Sequence, residues 1–235
     1  FREFRHAAVA DIELLPGLFL TTAVAIEHRD PNHLVERLRP HGPGVHAQPA
    51  AGAAQAAVPV VVDYAGQFKT VCAACHGANG RSDMAGVPVL AGNSSLYVIT
   101  QLFLFREGRR KNEAMVAMAK PMTDADLRGF SDYIGTLAAV PAPALAIAPN
   151  AAAMLKAKAI TEQHKCTYCH GVDLAGGQQV PRIGGQKEDY LRQTLHDFKA
   201  GERPGYTRAM TEALSQVPVE DLDLLAFYAA NIGNQ

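Results

Sequence analysis

The pattern of apolar and polar positions repeats itself once along the chain. Residues from about 63 to 137 resemble those from about 153 to 232. Each copy predicts a Pro/Gly loop, an amphipathic helix, a variable loop and a terminal helix, and alternating patterns typical of strands are nearly absent. The matched positions are Tyr97, Leu102, Phe105, Gly108, Leu127, Tyr133 and Leu137 in the first copy and Tyr190, Leu195, Phe198, Gly201, Leu222, Tyr228 and Ile232 in the second. The sequence therefore predicts an all-α fold with two similar domains in tandem.

Capping residues mark where the terminal helix of each copy begins. Thr123-Asp124-Ala125-Asp126 places a cap and an acidic first turn before the apolar Leu127. Pro218-Val219-Glu220-Asp221 does the same before Leu222. Both copies thus predict a terminal helix with the same start.

Two segments fall outside the repeat. Alternating Pro and Ala in 138–150 favour an extended, fairly stiff chain, which we interpret as an interdomain linker. Residues 1–62 form an irregular N-terminal extension rich in Pro, Gly and Ala, and five of the nine histidines lie there at irregular spacing that does not favour a metal site. The predicted organisation is an extension at 1–62, a first domain at 63–137, the linker at 138–150 and a second domain at 151–235.

Composition and charge exclude several functions. The chain has 235 residues, is 48% hydrophobic and 19% charged, and carries a formal net charge of −1. This balance gives no reason to expect nucleic acid or an anionic membrane as a partner. No apolar run is long enough to predict a transmembrane helix.

All four cysteines lie in two copies of the motif C-x-x-C-H. The motifs are Cys72-Ala73-Ala74-Cys75-His76 and Cys166-Thr167-Tyr168-Cys169-His170. This motif indicates covalent attachment of haem c, with two thioethers to the cysteines and the adjacent histidine as an iron ligand. A redox dithiol normally accompanies a βαβ pattern, and a Cys₄ zinc site gives no reason for a histidine after each second cysteine. We therefore predict two haem c groups.

The ligand on the other side of each iron can be selected by elimination. Met210 is the only methionine after His170 in the sequence. The repeat places Met115 at the equivalent position, because Met115 follows His76 by 39 residues and Met210 follows His170 by 40. A thioether is a soft, neutral ligand that favours ferrous iron. We predict Met115 and Met210 as axial ligands. The other methionines that we considered are predicted to fill the core: Met84, Met118, Met122 and Met154.

Groups around the ligands can also be predicted. A ligating histidine usually donates its second ring N–H to a carbonyl or carboxylate. The loops that contain Pro88 and Pro181 follow their histidines at similar distances and are candidates for that carbonyl. Four arginines could pair with haem propionates or could equally be ordinary surface charges: Arg81, Arg110, Arg182 and Arg203.

Residues 63–235 resemble the class I cytochromes c, and in particular the dihaem cytochrome c4 group. The resemblance rests on the two haem motifs, on Pro88-Val89-Leu90-Ala91-Gly92, and on Phe105-Arg106-Glu107-Gly108-Arg109-Arg110 with its repeat at 197–203. It implies two small helical domains, each wrapped around a covalent haem. It also implies thioethers at the four motif cysteines, and axial pairs His76/Met115 and His170/Met210.

The resemblance further implies a periplasmic carrier, or one at the outer face of the cytoplasmic membrane. Such a protein passes single electrons from a quinol-oxidising complex towards a terminal oxidase. The extension at 1–62 departs from the family and raises an alternative, in which the chain is the cytochrome subunit of a dehydrogenase or respiratory complex and the extension binds the partner. A dihaem peroxidase is a second alternative, disfavoured because that chemistry needs an open iron position. The protein is thus expected to be an electron carrier rather than an enzyme.

Overall fold

The computed structural model describes residues 61–140, 149–203 and 208–232. The predicted extension lies outside these residues except for Val61 and Val62, and the centre of the predicted linker also lies outside them. The described residues belong to one compact unit, which spans 58–235.

Helices are the regular elements of these described ranges, and no strand longer than an isolated bridge occurs among them, so the predicted all-α fold class is confirmed. We call the described residues before 141 the first half and those after 148 the second half. The first half contains α1 (Tyr64–Gln67), a π-helical turn (Phe68–Cys72), α2 (Ala73–His76), α3 (Ser95–Arg106), α4 (Glu113–Ala119) and α5 (Asp124–Gly135). The second half contains α6 (Ala151–Gln163), α7 (Cys166–His170), α8 (Glu188–Ala200), α9 (Ala209–Ser215) and α10 (Leu222–Asn231), with 3₁₀ turns at Val172–Leu174 and Val219–Asp221.

Side-chain caps set the start of most first-half helices. The Thr123 hydroxyl accepts the Asp126 N–H, and the Asp126 carboxylate accepts the Thr123 N–H, so α5 begins with a complete capping box at the predicted position. Asn112 caps α4 by accepting the N–H of Met115 at 3.0 Å. In the second half, the predicted start near Pro218 is a 3₁₀ turn that leads directly into α10.

The core of the first half lies between α3 and α5, with Phe68 beneath them. Leu102 and Leu127 are buried there. The rings of Tyr64 and Phe130 meet edge to face, with centroids 5.1 Å apart, and this ties α1, which precedes the first haem motif, to α5. Cys72 and Ala73 of the motif pack against the same core as the terminal helix.

The second half repeats this arrangement with different side chains. Leu195 and Leu222, the repeat partners of Leu102 and Leu127, are buried between α8 and α10. Met154 and Ala157 on α6 pack against the same core and take the place of the Phe68 segment. The repeated apolar positions are thus the core positions of both halves.

Candidate haem sites

Both C-x-x-C-H motifs are helical: the second lies on one short helix, and the first spans the junction of the π-helical turn and α2. Cys72 ends the π-helical turn and Cys75 lies within α2, while Cys166 and Cys169 both belong to α7. In both halves the first thiol is half-buried and the second is exposed, and all four are free. Burial raises the pKa of the Cys72 and Cys166 thiols.

A glycine ends each motif helix immediately after the histidine. Gly77 has φ 75° and Gly171 has φ 76°, a left-handed conformation that glycine adopts without strain. A Cβ at Gly77 would overlap the carbonyl oxygen of Arg81. The chain therefore turns sharply after each histidine, towards the loop that carries the proline.

The two histidines share one environment. His76 and His170 are each 7% exposed. Nδ1 of His76 donates to the carbonyl of Pro88 at 3.1 Å, and Nδ1 of His170 donates to the carbonyl of Pro181 at 3.1 Å. A carbonyl only accepts, so these bonds place the proton of each neutral imidazole on Nδ1 and leave the Nε2 lone pair for a metal. The pKa of both histidines is lowered chiefly by burial, which favours this neutral form.

The predicted methionine ligands occupy matching helices. Met115 on α4 is half-buried and packs against the first core, as does Cys72. Met210 on α9 is half-buried and packs against the second core. Lys199 secures the far end of α9, because its ammonium group donates to the carbonyls of Leu214, Ser215 and Val217.

Two of the four methionines predicted to fill the core lie at the surface. Met84 is 51% exposed and Met118 is 41% exposed, so that prediction was wrong for both. Met84 lies in a loop, while Met118 belongs to α4, where Met115 and Ala119 occupy the inward i, i+4 positions. Met154 is buried and Met122 packs against the first core, as predicted.

Arginines and tyrosines meet where the two halves touch. Arg110 donates to the Tyr190 hydroxyl at 2.9 Å, and Arg203 donates to the same oxygen at 3.2 Å. Burial raises the pKa of Tyr190, but the charges of Arg110 and Arg203 outweigh burial and bring this pKa down to about 8. Arg81 also reaches across, donating to the Gly185 carbonyl at 3.4 Å. Arg81 and Arg110 thus join the two halves, a role that the sequence did not predict, while the bond from Arg203 to Tyr190 lies within the second half.

Two buried amides at the same contact were missed by the sequence reasoning. Asn93 and Gln186, each 7% exposed, bond to the backbone of the opposite half. They occupy equivalent places in the repeat, one residue after Gly92 and Gly185. This equivalence of two amide side chains in the repeat is the feature of the sequence that could have marked them as a pair.

The residues present fit a covalently bound haem in each half. Free thiols stand three residues apart on a helix, followed by a buried imidazole whose Nδ1 is already engaged, and a methionine packs on the same core. In the ranges that the structure describes, no helix is long and apolar enough to cross a membrane.

Comparisons with known proteins agree with this arrangement. A family model described as Cytochrome c matches residues 65–138. The chain is 36% identical over 157 residues to a cytochrome c4 of Thiocapsa roseopersicina, covering 63% of this chain and 81% of that protein. It is 32% identical over 164 residues to a thiosulfate dehydrogenase electron acceptor of Thiomonas intermedia, covering 62% and 76%. The structure of reduced recombinant cytochrome c4 from Pseudomonas stutzeri superimposes with a TM-score of 0.64 at 25% identity, covering 72% of this chain and 96% of that one.

Fold and motifs together define a c-type cytochrome with two covalently bound haem c groups, whose function is electron transfer. The predictions of fold, cofactor and electron-carrier function are therefore confirmed at this level. The chain belongs to the cytochrome c4 family.

Proposed function

We propose that His76 with Met115, and His170 with Met210, are the axial ligands of the two irons, and that the four motif cysteines form the thioethers. The observation that carries this proposal is the paired hydrogen bond, His76 to Pro88 and His170 to Pro181, because it directs Nε2 of each buried histidine to the metal. Bound haem supplies a one-electron ferric/ferrous couple.

The side chains determine which oxidation state is favoured. Two neutral axial ligands add no charge to the iron, and the soft thioether of methionine stabilises the ferrous form. Packing of Met115 and Met210 against their cores keeps both thioethers in place. A low-spin iron with both axial positions filled suits rapid electron exchange rather than peroxide chemistry.

The limits of the two haem domains that we propose are 63–137 and 151–235, joined by the linker 138–150. Separate apolar cores within these limits support the division, because each core includes residues from the helical segment that leads into its own motif and from its own terminal helix.

A test of the ligands compares methionine variants that share a helix. Ferric haem with a methionine ligand has a weak long-wavelength absorption band, a property implied by the family. We expect Met115→Ala and Met210→Ala each to remove about half of this band. Met118→Ala, an exposed position on the same helix as Met115, should leave it unchanged. An intact band in Met115→Ala, or a halved band in Met118→Ala, refutes the assignment.

The proposed cellular role is to carry single electrons in the periplasm, or at the outer face of the cytoplasmic membrane. The donor would be a quinol-oxidising complex or a dehydrogenase, and the acceptor a terminal oxidase. Membership of the cytochrome c4 family supports this role.

A second candidate role is that of the cytochrome partner of one dehydrogenase. The relative named a thiosulfate dehydrogenase electron acceptor favours it. In this role the segment 1–62 would bind the enzyme. Stopped-flow reduction of the ferric protein by a purified thiosulfate dehydrogenase, with and without residues 1–60, tests the idea. Fast reduction that slows at least tenfold on deletion supports it. Equal rates with both chains exclude a docking role for the extension.

A further inference from the structure

One peptide group in the first half forms two hydrogen bonds, one with a residue of its own half and one with a residue of the second half. Its carbonyl, that of Pro88, accepts the Nδ1–H of His76 at 3.1 Å. Its N–H, that of Val89, donates to Oε1 of Gln186 at 2.8 Å. Gln186 belongs to the second half. The proposed ligand of one haem is therefore linked, through a single amide group, to a side chain that accompanies the other haem.

The second half contains the mirror arrangement. The carbonyl of Pro181 accepts the Nδ1–H of His170 at 3.1 Å. The N–H of the same peptide group, that of Arg182, donates to Oδ1 of Asn93 at 3.1 Å, and Asn93 belongs to the first half. Both bonds therefore cross between the halves in opposite directions.

Burial makes these bonds matter. Asn93 and Gln186 are each 7% exposed, so water does not readily replace either amide oxygen. Gln186 is also held by its Nε2, which donates to the Val89 carbonyl at 2.9 Å. Nδ2 of Asn93 donates to the Leu90 carbonyl at 3.1 Å. Both amides are thus fixed in the orientation that presents oxygen to the opposite backbone.

Hydrogen bonds at the two ends of one peptide group strengthen each other. A bond donated by the N–H moves electron density onto the carbonyl oxygen and makes it a better acceptor, by roughly 10–30% per bond in condensed-phase estimates. A better acceptor draws the Nδ1 proton of the histidine more strongly and raises the basicity of Nε2. A more basic ligand stabilises ferric iron relative to ferrous iron.

We propose that Gln186 and Asn93 are positioning residues that tune the haem of the opposite half. Gln186 lowers the reduction potential of the first-half haem through Val89, Pro88 and His76. Asn93 lowers that of the second-half haem through Arg182, Pro181 and His170. The inference rests on the proposed histidine ligation. The couple transfers one electron and no proton, because each histidine keeps its Nδ1 proton in both oxidation states.

The test is a redox titration of the holoprotein and two nearly isosteric variants, Gln186→Met and Asn93→Leu. Each potential is first assigned with Met115→His and Met210→His, since bis-histidine ligation lowers the potential of the substituted half. If neither assigning variant shifts a potential, the ligand proposal has failed, independently of the tuning proposal.

We expect a crossed result. Gln186→Met should raise the potential of the first-half haem, and Asn93→Leu should raise that of the second-half haem. A general opening of the contact would instead admit water and lower both potentials. Unchanged potentials, a shift only in the half that carries the substitution, or lowering of both would overturn the proposal.

Ser94→Ala is the matched control. Ser94 also bonds across the halves, to the Gln178 carbonyl, but neither residue touches a proline–histidine peptide group. Its removal should produce no crossed rise in either potential. A crossed rise equal to that of Gln186→Met would overturn the proposal, because the Ser94 side chain has no bond to either proline–histidine peptide group.

Amide hydrogen exchange in the unsubstituted protein gives a test that does not depend on how the variants fold. In the diamagnetic ferrous state, nuclear magnetic resonance should show slow hydrogen exchange for the Val89 and Arg182 amides. In Gln186→Met the Nδ1 proton of His76 should shift upfield, while that of His170 stays in place. Rapid exchange of both amides in the unsubstituted protein would refute the link.

Discussion

Replacing Lys199 by methionine should destabilise the second half far more than the matching change destabilises the first. The ammonium group of Lys199 donates to three carbonyls at the end of α9, at 2.9 Å to Leu214, 2.9 Å to Ser215 and 2.7 Å to Val217. Methionine preserves most of the apolar stem but supplies no donor.

The size of the effect follows from the exposure of the three bonds. The bond to Ser215 is exposed, so water can replace it, whereas those to Leu214 and Val217 are partly buried. At about 1.5 kcal/mol for each partly buried charged bond, the free energy of unfolding of the second half should fall by about 3 kcal/mol. With a slope near 3 kcal/mol per molar denaturant, the unfolding midpoint in guanidinium chloride moves down by about 1 M.

The control is Arg106→Met, at the equivalent place in the repeat. Among the described residues, Arg106 donates to one carbonyl, that of Met122 at 3.4 Å, and pairs with Glu107 and with the largely exposed Asp124. Its loss should cost much less, because exposed ion pairs contribute little. Denaturant unfolding is followed by circular dichroism and by the long-wavelength ferric band. Midpoints that move equally in the two variants, or a Lys199→Met midpoint that does not move, would refute the reasoning.

Three further predictions concern the backbone and pH. Gly77→Ala should reduce haem incorporation, measured as haem per chain, more than Gly171→Ala does. Both substitutions strain a positive φ by about 1–2 kcal/mol, but only the methyl group at position 77 overlaps a carbonyl. Hydrogen bonds from the capping threonine lower the pKa of Asp126, so its stabilising effect is fully present above the usual carboxyl pKa of about 4 and is lost as pH falls through the lowered value. Asp126→Asn should flatten the acid side of a plot of unfolding free energy against pH, and an unchanged slope would contradict this. The methyl group of Gly129→Ala would overlap the ring of Tyr64, so this substitution should lower the unfolding free energy of the first half by about 1–3 kcal/mol. Denaturant titration measures the change, and an unchanged free energy would show that the ring moves aside freely.

The repeat made much of the fold predictable. Leu102 and Leu195 are buried because apolar residues at equivalent places of a duplicated helix face equivalent cores. The start of α5 was predictable too, since the capping box of Thr123 and Asp126 is a local structure that depends on four consecutive residues.

Other features depend on the arrangement of the chain in space. The sequence did not show that Met118 is exposed, because the Asn112 cap sets where α4 begins and Ala119, rather than Met118, takes the inward position beside Met115. Nor could it pair Gln186 with Val89, since that bond joins two loops separated by 97 positions. Contacts between the halves depend on how the two folded halves pack against each other, which local sequence patterns do not specify.

The crossed bonds of Asn93 and Gln186 follow the rule of an isologous interface, in which equivalent patches of two copies bind each other in both directions. An interface of this kind closes on itself, so the two proline loops satisfy one another and leave no free copy for a third domain. The covalent link makes this pairing intramolecular, independent of protein concentration. The surface around the two proline loops is therefore used up within the chain itself and is not open to a redox partner.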